Sequence, residues 1–429
     1  MNRAFERWAP WAVAILAVIV WVGPLQTGFY LDGQLTDIPV YRGIHDAIAD
    51  GQVPYRDFLL EYPPLAGVLF WLAGVIPGAY SLGFSTLMLA CLIGTALAVM
   101  ATARALDTTP LRRAGAGAIV AVSPLLLGAM VQTRYDLLMT VVLGWCLWAA
   151  VTRRFTWMWV LLAVAVLVKI VPLALVPVLF VWHRHHRGTR EALLGGAGAA
   201  GVVAVAMLPF VAMAPGGTWD LVGYHLDRPL QIESTGASYL LGLHALADIP
   251  LTVESSFGSQ GLTGRGPALI AGLATAALLG LLIAVVWCLI VGLRRSRPPG
   301  DARLFMAAAC ATVVALMVAG KVLSPQFLIW LLPVALLVTG RFGRATAGLA
   351  IAAMLVTLAY FPRHYWDVVA LEPGPIALLV LRNLLLLALL AACWPRPSIA
   401  RHPRGWMLRG GSVDRTPGER AVAARYLTE

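Results

Sequence analysis

Lysine is almost missing from this 429-residue sequence: Lys169 and Lys321 are the only two, and every other one of the 32 basic residues is arginine. Charge of either sign is scarce. Charged residues make up 12% of the chain against 60% hydrophobic, where a soluble domain carries about 25% charged residues. So few charges cannot coat a water-facing surface, but they suffice where most of the surface meets lipid. Cysteine is sparse as well. Cys91, Cys146, Cys288, Cys310 and Cys393 each lie inside an apolar run and none forms a CxxC pair, which argues against a disulfide framework or a thiolate metal site. No P-loop and no Gly-x-Gly-x-x-Gly at a strand–helix junction occurs, so a soluble nucleotide donor is not expected. A nucleophile elbow for acyl transfer is also lacking. His183, His185 and His186 sit in a basic cluster, and no other histidine pair has ligand spacing. No metal and no other cofactor is expected.

What is present is length in apolar residues. A bilayer crossing takes about 20 of them, and the sequence offers such runs repeatedly, which predicts an all-α polytopic membrane protein. The net charge of +11 would suit nucleic acid, but its distribution does not. The basic residues fall in short clusters between apolar runs: Arg3/Arg7, Arg104/Arg112/Arg113, Arg153/Arg154, His183 to Arg190, Arg294 to Arg303, Arg341/Arg344, and the tail from Arg396. Such clusters mark cytoplasmic loops. Between neighbouring clusters the chain then crosses out and back, and every interval but the first holds two apolar runs. In the first interval the extra run, 64–76, is short and ends at Pro77-Gly78; it reads as a re-entrant or interfacial segment. The expectation is about 12 crossings over residues 1–394, with both termini cytoplasmic and the first run a retained signal anchor. Residues 395–429 form a basic cytoplasmic tail expected to be poorly ordered.

This topology puts 31–63, 214–266, 362–374 and the short hinges 132–136, 169–172 and 321–325 on the outer side. Unusual polar residues collect there. The first outer loop, 31–63, is expected to be partly helical and holds six acidic residues. Asp46, Asp50 and Asp57 read as solvated surface. Asp37 stands among apolar neighbours in Thr-Asp-Ile-Pro-Val-Tyr, where a carboxylate can keep a raised pKa and serve as a general base. Arg134 and Asp136 sit at a hinge between apolar runs, either as a local pair that anchors the turn or as functional groups. Lys169 and Lys321 stand near prolines on the side where the positive-inside rule disfavours them. They are snorkelling anchors or a site for an anion at headgroup depth. His225, Asp227, Arg228, Gln231 and Glu233 form a dense polar string in the second long loop, 214–266. That string is ordinary loop surface, or the wall of a cavity in which Arg228 meets a phosphate or a sugar.

Read together, these pieces resemble a known family. Asp37 with Tyr41, then Gly51-x-x-Pro54-Tyr55-x-Asp57-Phe58-x-x-Glu61-Tyr62-Pro63-Pro64, is similar to the first outer loop of glycosyltransferase family 87. The strings Arg134-Tyr135-Asp136-Leu137-Leu138, Lys169-Ile170-Val171-Pro172, Asp227 to Ser234, and Lys321-Val322-Leu323-Ser324-Pro325-Gln326 resemble later parts of it. The resemblance implies a GT-C type helical bundle. It implies an inverting transfer from a polyprenyl-phosphate sugar to a glycolipid or glycan acceptor at the extracytoplasmic face of a bacterial plasma membrane. Its members include mannosyl- and arabinofuranosyltransferases. It implies Asp37 as the base, with Tyr41, Glu61, Tyr62, Arg134, Asp136, Lys169, His225, Arg228, Lys321 and Gln326 as substrate-binding residues. The sequence departs from the family's usual Gly-Gln-Asn type string at 132–136. A transporter of lipid-linked sugars would instead favour paired discontinuous helices and internal repeats, and no repeat is evident.

Overall fold

Proline and glycine decide where this apolar chain runs straight and where it breaks. In a computed structural model, residues 3–26, 35–296 and 298–396 are described; the expected tail falls outside them from residue 397, as does Asp32. Among the described residues, seven helices are long and apolar enough to cross a membrane: Ala4–Pro24, Tyr80–Ala105, Thr189–Met213, Arg265–Arg295, Gly300–Ala319, Gly343–Tyr360 and Pro373–Cys393. Leu, Ala and Val dominate them, so propensity and lipid solubility agree. Arg265–Arg295, at 31 residues, is about 46 Å long and ends on Arg294 and Arg295, favourable at a helix C-terminus.

The other crossings expected from the apolar runs correspond to shorter elements. The 115–131 run is divided among Pro110–Ala121, Ser123–Leu127 and Met130–Thr133, with Pro124 and Gly128 at the breaks. The runs around Lys169 form Phe155–Val168, a 3-10 helix Val171–Leu175 and Val176–Arg187. The 326–339 run is largely 3-10 helix, beginning at Pro325. Pro64–Val75, at 12 residues, covers only about 18 Å, too short for a bilayer core of about 30 Å.

The expectation of an all-α chain needs one correction. Within 214–266 lies a three-stranded antiparallel sheet in which Ser259–Thr263 pairs with Leu230–Gln231 on one side and Thr252–Ser256 on the other. Its hairpin turns through Phe257 and Gly258, both at positive φ (50° and 64°), the geometry a two-residue hairpin requires. The hydroxyl of Tyr224 donates to the Phe257 carbonyl at 2.7 Å and so supports a turn that phenylalanine disfavours. Helices Pro215–Asp227 and Thr235–Ala247 fill the rest of the stretch.

Gly300–Ala319 is almost wholly buried and packs on Arg265–Arg295 and Pro373–Cys393. Small side chains (Ala, Cys, Thr) let its neighbours approach. Thr189–Met213 is its opposite, with only Ala192 and Ala199 buried. The bundle has two chemically distinct ends. One is basic: Arg113 pairs with Glu6, Arg112 donates to the Val338 carbonyl, Arg396 stacks on Phe342, and Arg153 approaches Asp301. The other gathers the first loop, the 133–136 hinge, the 224–234 string and Lys321.

Candidate active site

The first loop is fastened to the bundle by aromatic rings. Tyr41, fully buried, stacks on Phe70 at 4.3 Å and on Phe84 at 5.3 Å, and meets Tyr135 edge-on at 5.8 Å. Tyr62 adds edge contacts to Tyr135 at 5.0 Å and Phe70 at 5.7 Å. Each such pair contributes roughly 0.5–1.5 kcal/mol beyond its area, so the loop is held as firmly as a core element. Tyr55 donates to the Tyr62 carbonyl at 2.6 Å. Gly217 lets the helix Pro215–Asp227 press against the Tyr55 backbone, where a β-carbon would overlap the Tyr55 carbonyl.

Asp37 is the N-cap of the helix Ile38–Ala49, yet its side chain makes no capping bond. Its carboxylate is committed elsewhere. It forms an ion pair with Arg134 and accepts from the Tyr41 hydroxyl at 3.3 Å. This corrects the isolated apolar setting expected from sequence. An arginine partner favours the ionised, proton-accepting form of a carboxylate. The Asp37 side chain remains 30% exposed, so a substrate hydroxyl can reach it. Arg134 also donates to the Leu35 carbonyl at 3.2 Å. Burial lowers the Arg134 guanidinium to about 10, against the opposing charges of Asp136 and Glu233, and it stays cationic at neutral pH.

The local Arg134–Asp136 pair does not form. Asp136, with no exposure, faces inward at the start of the helix Asp136–Val151 and pairs with Lys169 at 2.7 Å. The same Oδ1 accepts from the Trp330 indole at 2.6 Å. Lys169 stands over the rings of Tyr135, Trp330 and Phe327 at 4.8, 5.2 and 5.4 Å. Neither snorkelling anchor nor free anion site describes it: it is the cation of a buried ion pair.

Around this pair the remaining candidates close up. Glu61 lies against Tyr62, Tyr224 and His225. Burial and the charge of Arg228 hold His225 below its ordinary value, and Lys169 adds to the effect. Arg228 donates to the Ser259 hydroxyl at 2.9 Å, and its buried Nε has no hydrogen-bond partner among the described residues. Lys321 donates to the Leu226 carbonyl at 2.5 Å, while its own carbonyl accepts from Gln231. Burial lowers its pKa, Asp227 opposes that, and Arg228 reinforces it. Among the described residues, no carboxylate lies within ion-pair distance of Arg228 or Lys321. Gln326 is the second residue of the 3-10 helix Pro325–Leu331, half-buried and with no side-chain hydrogen bond to a described residue. Asp57 is spent on Arg56 and the Val53 amide, which hold it near 2, and Asp46 pairs loosely with Arg42 at 3.9 Å. Both act as loop surface.

Arg382 was missed from sequence, and Glu233 was singled out there only as one of the polar string. Glu233 is buried, and its carboxylate accepts from the Tyr360 hydroxyl at 2.9 Å. Burial raises it to about 7, against the opposing effects of Arg382, Tyr360 and Arg134. Arg382, wholly buried within Pro373–Cys393, donates to the Glu233 carbonyl at 2.7 Å, and Asn383 to the same carbonyl at 3.3 Å. The signal for Arg382 was available: an arginine inside an apolar run. As for metals, His185, His186 and Asp301 are the grouping among the described residues that could hold an ion. They lie at the basic end, where Arg153 at 3.8 Å from Asp301 competes for the carboxylate.

No curated protein matches the chain. A family profile does, that of glycosyltransferase family 87, over residues 58–325. The matched region contains Glu61 through Lys321 and begins downstream of Asp37 and Tyr41. It covers more than half of the sequence, and the chain belongs to glycosyltransferase family 87, a family of membrane glycosyltransferases.

Proposed function

We propose that this end of the bundle faces the extracytoplasmic side and transfers a sugar, mannose first and arabinofuranose second, from a polyprenyl phosphate to a lipid-linked or envelope glycan acceptor, with inversion. The observation that carries the reading is the division of charge. Asp37 is paired with Arg134 yet stays open to substrate, while Arg228 and Lys321 have no carboxylate within ion-pair distance among the described residues.

The chemistry follows from that division. Asp37 takes the proton of the acceptor hydroxyl as its oxygen bonds to the anomeric carbon. On the opposite face the bond from that carbon to the phosphate oxygen breaks, and the phosphodiester monoanion becomes a phosphomonoester approaching two negative charges. Cations not already neutralised by a carboxylate in contact stabilise charge that grows during the step, which lowers the barrier. Lys169, already neutralised by Asp136, shapes the wall instead. The test is transfer by the purified chain with a panel of polyprenyl-phosphate sugars. Asp37→Asn is expected to lower turnover by about 10²–10⁴-fold, the usual range for a general base, with the protein still folded. Turnover above half of wild type would remove Asp37 from the role, and activity with nucleotide sugars alone would remove the donor class.

A further inference from the structure

At the basic end, a cleft of about 1120 Å³ separates the helix Phe155–Val168 from Thr189–Met213. Its rim carries Arg153, Arg154 and Arg187, opposed by one carboxylate, Glu191. Arg187 is exposed and makes no bond to a described residue. Arg154 rests on the Trp148 ring at 4.8 Å, and Arg153 lies 3.8 Å from Asp301. The helix Phe155–Val168 starts at Arg154 with no side-chain cap, so its first N–H groups open at the same rim and favour an anion.

His183 supplies an independent pointer. It lines the cleft, 4% exposed, and its Nδ1 accepts from the Trp159 indole at 3.0 Å. A neutral ring must then carry its proton on Nε2, and no described residue accepts it. His183 lines the cleft although the residue is nearly buried, and a ligand oxygen there would satisfy the free N–H. Below the rim the walls are apolar. Val160, Leu194 and Val202 line them, and Trp159 packs against Gly195, where a β-carbon would overlap the indole.

The neighbouring helix Thr189–Met213 is exposed along nearly all its length, so the cleft opens sideways toward whatever surrounds the bundle. A soluble anion would use the rim and leave the apolar walls idle. We propose that the cleft binds an anionic phospholipid, its phosphodiester at Arg154, Arg187 and the His183 Nε2–H, and an acyl chain along Val160 and Val202. The site is independent of the transfer reaction and depends only on the chain's being embedded in a bilayer.

The test uses full-length protein in detergent with added phosphatidylglycerol or phosphatidylcholine, read by native mass spectrometry and by thermal melting. Phosphatidylglycerol is expected to be retained and to raise the melting temperature, and phosphatidylcholine is not. Arg187→Gln should weaken retention about fivefold, and Arg154→Gln added to it about fivefold again, the usual worth of an arginine near an anionic headgroup. Arg363→Gln, exposed elsewhere, should change nothing. Equal retention of the two lipids, or equal loss in Arg363→Gln, would overturn the site. Equal stabilisation by inorganic phosphate would show a soluble-anion site and overturn the lipid assignment.

Discussion

Removing Asp136 should damage this protein more than almost any other single change at the end that holds the candidate site, and removing Lys169 with it should repair most of the damage. Asp136 has no exposure and Lys169 only 13%. One carboxylate oxygen serves both the Lys169 ammonium and the Trp330 indole. Asp136→Leu leaves a buried cation with aromatic faces but no counter-charge, a loss of about 3–5 kcal/mol for breaking a buried pair from one side. The indole N–H loses its acceptor too, worth about 1–3 kcal/mol where no water replaces it. Against a total stability commonly of about 5–15 kcal/mol, such a variant stands near the edge of folding. Asp136→Leu with Lys169→Met removes both charges, and apolar replacement of a whole buried pair is often close to neutral. The assay is thermal unfolding of wild type, both single variants and the double variant in detergent, with transfer measured on each. If the double variant loses the sum of the two single losses, the residues do not act as a pair. If it folds normally but transfers no sugar, Lys169 holds substrate and its assignment to the wall is wrong.

Three further outcomes are expected. Lys321→Ala should raise the apparent KM for the polyprenyl-phosphate donor much more than that for the acceptor, and Lys321→Arg should recover part of the loss; an effect confined to the acceptor would place the phosphate elsewhere. Glu233 titrates near 7 in the fold against 4.5 in the unfolded chain. The native state therefore binds the extra proton between those values, so this group's contribution is fully present below about 4.5 and lost as pH rises through about 7. Glu233→Gln should flatten the fall in melting temperature between pH 5 and 8, and an unchanged profile would remove Glu233 as its source. Arg190→Cys and Ser255→Cys, both exposed, should react with an impermeant thiol reagent at 255 but not at 190 in intact cells; the reverse pattern would invert the topology.

The architecture was legible where a single residue forces a local outcome. Pro172 and Pro325 cannot continue a helix, and the chain turns to 3-10 geometry at both. The sheet within 214–266 was not legible. Its strands are short and polar, Thr-Val-Glu-Ser-Ser and Ser-Gln-Gly-Leu-Thr, and their turn lacks the Asn-Gly or Asp-Gly signal of a hairpin. The site divides in the same way. That Asp37, Arg134, Asp136 and the two lysines were unusual followed from where charges stand among apolar runs. Which of them pair did not, because Asp37 and Arg134 stand nearly a hundred residues apart and Asp136 turns away from its neighbour at the head of its helix. Glu233 needed the fold most. Nothing in Gln-Ile-Glu-Ser marks a buried carboxylate until Tyr360 and Arg382 are brought against it.

Lys169 and Lys321 show why partner identity, more than residue type, assigns a role here. Each follows an apolar helix, each precedes a proline by three or four residues, and each lies at the same end of the bundle. Local sequence gives no ground to separate them. Lys169 meets a buried carboxylate and three aromatic rings, so its charge is compensated before any substrate arrives. A phosphate drawn to it would have to compete with Asp136 and would strand that carboxylate. Lys321 meets a backbone carbonyl, which accepts one of its three donor hydrogens, and no described carboxylate is in ion-pair contact with it. Arg228, whose side-chain bond is to a neutral hydroxyl, is in the same position. Burial already lowers Lys321's pKa. An incoming phosphate would relieve that cost, whereas at Lys169 it would add one. At this end of the bundle Arg228 and Lys321, with no described carboxylate in contact, are thus the cations on which an anion gains most.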